Sequence, residues 1–189
     1  MTVRKTTALA SGAALALSGL ISVSPPAQAE TIPAKHCVGS LSTGRTECFS
    51  TFTAAIRKAT DGRVTDAPAA VPDAAGRASL SRSIQHHATK QAAGEVIQGT
   101  FFDNRDFGGD TFTVTGAGLC DGSDGVINYQ FDFPSDWFDR ISSVQPWASC
   151  KIWLYPDVGL NGDRDGPFTQ NTGWVGTMLD DRTRSVGFS

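Results

Sequence analysis

The last ninety or so residues of this 189-residue chain carry an internal repeat. Phe102-Asp-Asn-Arg-Asp-Phe107-Gly-Gly109-Asp110 returns as Tyr155-Pro-Asp-Val-Gly-Leu160-Asn-Gly162-Asp163, and Phe138-Asp-Arg-Ile-Ser-Ser-Val144 returns, in the same order, as Asp180-Asp-Arg-Thr-Arg-Ser-Val186. A repeat of this kind fixes the architecture before any single residue is interpreted. Each copy opens with an aromatic residue, then an apolar one, then Gly: Phe102, Phe107 and Gly109, and Tyr155, Leu160 and Gly162. That spacing predicts a strand running into a compact hairpin that folds back over it. The opening aromatic packs across the hairpin, and Gly takes a backbone conformation that side chains disfavour.

The surrounding texture is all-β. Short β-branched and aromatic runs are separated by Gly, Asp, Asn and Pro clusters. Val96–Phe101, Thr111–Val114, Val126–Tyr129, Ile141–Val144, Lys151–Tyr155 and Ser185–Phe188 read as strands. About eight short strands in 96–189 suit a two-sheet sandwich. All four Trp and most of the eleven Phe lie in this half, so the core is expected there.

The first part of the chain differs. Arg4 and Lys5, the uncharged run Ala8–Val23 and the small-residue site Ala27-Gln28-Ala29 read as an export signal over 1–29. No later stretch is long or apolar enough to span a bilayer, so no membrane partner is expected. Residues 30–95 are expected to form a separate, partly helical and partly disordered segment. Within it Phe49, Phe52, Ile56 and Ala59 recur at helical spacing behind Ser50 or Thr51 as cap, ending near Gly62. The Ala/Pro/Asp-rich stretch 66–77 reads as a linker. A second, weakly amphipathic helix is expected over Ser79–Ala93 through Leu80 and Ile84, stopped by Gly94.

In an oxidising compartment four cysteines imply two disulfides, for which three pairings exist. Cys37–Cys48 with Cys120–Cys150 is the pairing expected, because each bridge then stays within one compositional region. Zinc is a poor alternative, with no Cys-x-x-Cys and only His36, His86 and His87 available. Without the signal the chain carries 14 basic against 19 acidic residues, which argues against nucleic-acid binding and mildly favours cations.

With its paired hairpins and Asp-rich hexapeptides, 96–189 resembles the βγ-crystallin superfamily, and especially secreted bacterial members with two Greek-key motifs per domain. The resemblance implies an all-β, two-motif Greek-key sandwich and a weak Ca2+ site in each motif, built on the pattern Asn/Asp-Asn/Asp-x-x-Ser/Thr-Ser. Calcium takes hard oxygen ligands, from carboxylates, hydroxyls and main-chain carbonyls at turns. Carried over by residue, one usable site takes Asp139, the Arg140 carbonyl, Ser142, Asp180 and the Pro156 carbonyl. The second site draws on Asp103, Asp181 and Arg182. It is degenerate, because Phe138 stands where the first acid belongs and Arg184 where the hydroxyl belongs. An Arg184–carboxylate pair is expected in its place. The competing reading of both hexapeptides is that Asp and Ser merely close turns on backbone amides.

No nucleophile elbow, free Cys or β-half His points to catalysis, so the expected role is a monomeric, secreted, non-enzymatic module. The alternative on the same fold is an inhibitor of a secreted metalloproteinase. It would present the insertion Gly116–Gly125, tethered by Cys120–Cys150. An antifungal role within the superfamily has no supporting residue.

Overall fold

The computed structural model describes residues 34–65, 67, 73–89, 95–123 and 126–189. The expected signal over 1–29 and the Gly94 stop lie outside the described residues, as does most of the linker before Asp73.

The core of the fold is a pair of sheets built by the repeat. In the first motif β3 (Val96–Phe102) and β4 (Thr111–Gly116) form the hairpin, β5 (Tyr129–Asp132) crosses to the other sheet, and β6 (Ser143–Pro146) returns beside β3. In the second motif β7 (Ile152–Tyr155) pairs with β8 (Asp165–Phe168) and with β9 (Ser185–Phe188). The crossing strand β5 pairs with β9, giving the order β5-β9-β7-β8. The reciprocal crossing from the second motif survives as a single bridge, Thr172 to Val144 of β6. Each motif thus lends an element to the sheet of the other, the interlocked Greek-key arrangement. The all-β, two-sheet expectation holds.

Between the sheets the side chains are aromatic. Phe112 is fully buried, with ring centroids 5.4 Å from Phe131, 5.3 Å from Phe133 and 5.3 Å from Trp137. Phe101 meets Phe133 at 5.1 Å and Phe188 at 6.2 Å, both edge-on contacts favoured by the ring quadrupole.

The N-terminal part is not set apart in the way its composition implies. Strand β1 (His36–Ser40) pairs in parallel with β4, His36 opposite Thr111, and antiparallel with β2 (Thr46–Phe49). The first sheet therefore runs β2-β1-β4-β3-β6, and β1 covers what would otherwise be the exposed edge of β4. The unit Pro33–Ser189 spans the boundary expected at residue 95. Helix α1 (Phe52–Ala59) begins where expected, with Thr51 Oγ1 accepting the Ala54 N–H at 3.3 Å, and buries Phe52, Ala55, Ile56 and Ala59 against the β1 side of the sheet. Helix α2 (Ala74–Thr89) starts earlier than expected, inside the stretch read as linker, with the Asp73 carboxylate accepting the Gly76 N–H at 2.9 Å. Leu80 and Ile84 are buried, and no helix among the described residues is long and apolar enough to cross a membrane. Both disulfides take the expected pairing, Cys37–Cys48 and Cys120–Cys150.

His36 is 2% exposed, packed edge-on to Phe52 with Nδ1 3.0 Å from Thr111 Oγ1. Burial disfavours the charged ring and lowers its pKa below the usual 6.5, although Asp110 and Asp103 pull the other way. The unfolded chain therefore takes up a proton that the folded chain resists. The stabilising contribution of neutral His36 is complete above 6.5 and is lost as pH falls through the lower folded value. Urea midpoints measured between pH 7.5 and 5 are expected to fall more steeply for the parent chain than for H36Q; equal slopes would show that folding does not lower the His36 pKa.

Candidate functional site

The two hairpins share one backbone solution. Asp106, Phe107 and Gly109 have φ of 55°, 66° and 75°, and their counterparts Gly159, Leu160 and Gly162 have 70°, 60° and 82°. A Cβ at Gly109 would collide with the Asp103 carboxylate, and one at Gly162 would lie 2.5 Å from Pro156 Cγ, which is why both positions are glycine. Phe102 packs edge-on across its hairpin against Phe107 at 5.5 Å.

The last Ser of each hexapeptide fastens the hairpin of its own motif. Ser143 Oγ accepts the Phe107 N–H at 3.0 Å and donates to the Asn104 carbonyl at 2.7 Å. Ser185 Oγ accepts the Leu160 N–H at 3.1 Å and donates to the Asp157 carbonyl at 2.6 Å. The hexapeptides also bond to each other about a local two-fold: Asp139 N–H donates to the Thr183 carbonyl and Asp181 N–H to the Ile141 carbonyl, both at 3.1 Å. Asp139 and Asp181 themselves take left-handed φ, 58° and 54°.

This frame sorts the expected site residues into two clusters. The first lies by the β3–β4 hairpin. Ser142 N–H donates to the Phe102 carbonyl at 2.9 Å, and Ser142 Oγ is 3.5 Å from Asp181 Oδ1. Asp180 Oδ2 accepts from Arg105 at 2.5 Å and from Trp174 Nε1 at 2.8 Å. Asp180 Oδ1 is buried and finds no hydrogen-bond partner among the described residues. Burial tends to raise the Asp180 pKa. The adjacent Ser142 hydroxyl, the hydrogen bonds from Arg105 and Trp174 to Oδ2 and the Arg105 charge together outweigh it and hold the carboxyl below its usual range.

The second cluster lies by the β7–β8 hairpin, where Arg184 N–H donates to the Tyr155 carbonyl at 2.9 Å. The Arg184 guanidinium grips Asp139 in a fork, Nε at 3.1 Å from Oδ1 and a terminal nitrogen at 2.8 Å from Oδ2, and lies 5.5 Å from the Phe138 ring centroid. This is the Arg184–carboxylate pair expected at the degenerate site.

The grouping differs from the one expected in three respects. Asp139 belongs with Arg184 rather than with Ser142. Asp181 belongs with Ser142. Pro156 follows Tyr155 in the second hairpin, and Asp103 follows Phe102 in the first, so the two hairpin carbonyls exchange places. The cause is the Ser staple, which packs each hexapeptide beneath its own hairpin rather than its neighbour's. The Arg140 side chain binds Asp103 at 2.9 Å and Asp110 at 2.7 Å and lies over Trp137 at 4.6 Å. Arg182 is exposed, its N–H bonded to the Leu179 carbonyl at 3.1 Å. Sequence reasoning missed Arg105 and Trp174 altogether, because nothing in their spacing ties them to Asp180.

No group of three His, Cys, Asp or Glu side chains among the described residues is placed to hold a metal ion. The first cluster offers two carboxylates and a hydroxyl, with turn carbonyls nearby.

No protein-family model matches the sequence, and no curated protein does. Solved structures do match. The part of the chain they cover is similar to βγ-crystallin domains. One from Clostridium beijerinckii is 18% identical, with 48% of this chain and 95% of that chain covered, at a TM-score of 0.37. The N-terminal domain of protein S is 20% identical over 49% and 94% of the two chains, with a TM-score of 0.37. A βγ-crystallin domain from Flavobacterium johnsoniae is 14% identical over 48% and 92%, with a TM-score of 0.35. Likenesses of this size carry no argument about function, and the architecture rests on strand order and the paired hairpins.

Proposed function

We propose that this chain is a secreted, non-enzymatic, monomeric module of βγ-crystallin type that binds one Ca2+ weakly, at the first cluster only. One observation carries the reading: Asp180 Oδ1 is buried without a partner beside Ser142, while the equivalent place in the other motif is taken by the Arg184–Asp139 pair. A buried carboxylate oxygen left open costs free energy unless something answers it. The donors there are hard oxygens, which suits calcium rather than a softer ion.

Asp180, Ser142 and the carbonyls of Arg140 and Asp103 are the residues proposed to hold the ion, with Asp181 near Ser142. So small a charge count supports affinity in the range of extracellular calcium modules, about 0.1–1 mM. The ion would cross-link the second hexapeptide to the first, adding stability in proportion to its concentration. The two disulfides and the acidic balance are compatible with an extracellular setting. For the protease-inhibitor alternative the insertion gives no positive observation. Its base is fixed by Cys120–Cys150 and by the Cys120 N–H on the Ala148 carbonyl at 3.0 Å, and its tip at 124–125 is outside the described residues.

Calorimetric titration of the full chain with calcium is expected to give one binding event, weakened by about tenfold or more in S142A and D180N. Absence of heat and of any thermal shift at several millimolar calcium would remove the reading, and two equal sites would show that Arg184 does not close the second.

A further inference from the structure

We infer that Arg105 is a tethered counter-ion that gates the Asp180 carboxylate, holding it when no divalent cation is bound and leaving both it and the face of Trp174 when one binds. The inference rests on the calcium reading above and adds a residue whose role no hexapeptide pattern contains.

Four features carry it. The Arg105 guanidinium contacts Asp180 Oδ2 at 2.5 Å, while Oδ1 of the same carboxylate stays open. A divalent ion approaching Oδ1 would meet a positive charge within a few ångströms, and at such separations the repulsion is large even in a well-screened site. The same guanidinium lies 4.4 Å over the Trp174 ring, and Trp174 Nε1 bonds Asp180 Oδ2 at 2.8 Å, so the three side chains form one unit. The Arg105 side chain is 57% exposed against 14% for Asp180, so the arginine can swing into water while the carboxylate stays in place. Finally, the backbone around Arg105 is anchored independently: Asp106 N–H donates to the Gly173 carbonyl at 2.8 Å. Release therefore needs side-chain rotation only, with the hairpin left intact.

The gate acts as an intramolecular competitor. The cation binds only the fraction of molecules in which Arg105 has let go, and its apparent affinity falls by that fraction. An ion pair this exposed is worth little, so the handicap is modest, about two- to fivefold in affinity.

The test uses the full chain, calcium chloride, calorimetry and tryptophan emission. R105Q removes the charge at similar length and R105K keeps a charge there. R105Q is expected to bind calcium about two- to fivefold more tightly than the parent, with R105K close to the parent. Calcium is expected to change the emission of the parent, because Trp174 loses its cation, and W174F is expected to lose that change. Equal affinities for the parent, R105Q and R105K would overturn the gate and leave the calcium site standing. An emission change of full size in W174F would overturn the release from Trp174. Absence of binding in both the parent and R105Q would overturn the gate and the calcium site together.

Discussion

F112A is expected to cost about 3–5 kcal/mol of folding stability, a large share of what a domain of this size holds. Phe112 has no exposed surface, and three aromatic rings stand at 5.3–5.4 Å around it. Its own strand also sits between β3 and β1, so the site is walled on both sides by backbone that cannot collapse into the gap. The tightness is visible at Gly39 on β1, where even a Cβ would stand 2.8 Å from the Phe112 ring. Truncation therefore removes transfer free energy and leaves a cavity as well. Urea unfolding measures it: the midpoint falls and the slope is unchanged. L119A is the control. Leu119 is 47% exposed, and its truncation is expected to shift stability by no more than about 0.5 kcal/mol. A Phe112 variant as stable as the control would mean that the sheets are not packed as described.

Phe112 also shows which parts of the fold a local reading can reach. Its strand was legible because Thr-Phe-Thr-Val alternates and is bounded by Asp and Gly clusters. The hairpins were legible for a stronger reason: left-handed positions at Gly109 and Gly162 are backbone requirements, and aromatic spacing records what packs across them. Strand β8 was missed because Asp165-Gly-Pro-Phe168 has turn composition, and it joins β7 through a register shift. Strand β1 was missed for a different cause. His-Cys-Val-Gly-Ser is too short to announce itself, and its partner β4 begins 75 residues later in the chain. Pairing that distant leaves no periodic trace. The strand expected at Val126–Tyr129 forms instead at Tyr129–Asp132, where alternate side chains turn inward beside β9.

The candidate site divides along the same line. Ser142, Asp180 and the Arg184–carboxylate pair could be read from the hexapeptides, because their chemistry is carried by residue types at fixed offsets. The partition between hairpins could not, since it depends on Ser143 and Ser185 binding the backbone of their own motifs. Arg105 could not either. It meets Asp180 across 75 residues, and an exposed arginine in a turn has no local signature. What looked from the sequence like one usable ligand set is, in the fold, a carboxylate shared between an open side and an arginine.

F138D/R184S is expected to raise the calcium stoichiometry from one to two. The two hexapeptides occupy equivalent positions about the local two-fold, and they differ where Phe138 faces Asp180 in the alignment and Arg184 faces Ser142. In the parent, Arg184 neutralises Asp139 through a fork of hydrogen bonds, so that carboxylate already has its cation. The hydrogen bonds to Asp139, and then its charge, in turn hold the Arg184 pKa above its ordinary value. R184S alone frees Asp139 and supplies a hydroxyl, but leaves Phe138 in place of the carboxylate that Asp180 provides in the first cluster. F138D alone adds a carboxylate that Arg184 can still reach and neutralise. Only the double substitution supplies both ligands and removes the tethered positive charge. It also sets two adjacent carboxylates beside each other, so without calcium the variant is expected to melt below the parent, and with calcium to recover more than the parent gains. Calorimetry gives the stoichiometry directly, and thermal melts with and without calcium give the coupling. A double variant that still binds one ion, with no larger calcium-dependent rise in Tm than the parent, would show that the second motif lacks a site for reasons other than Phe138 and Arg184.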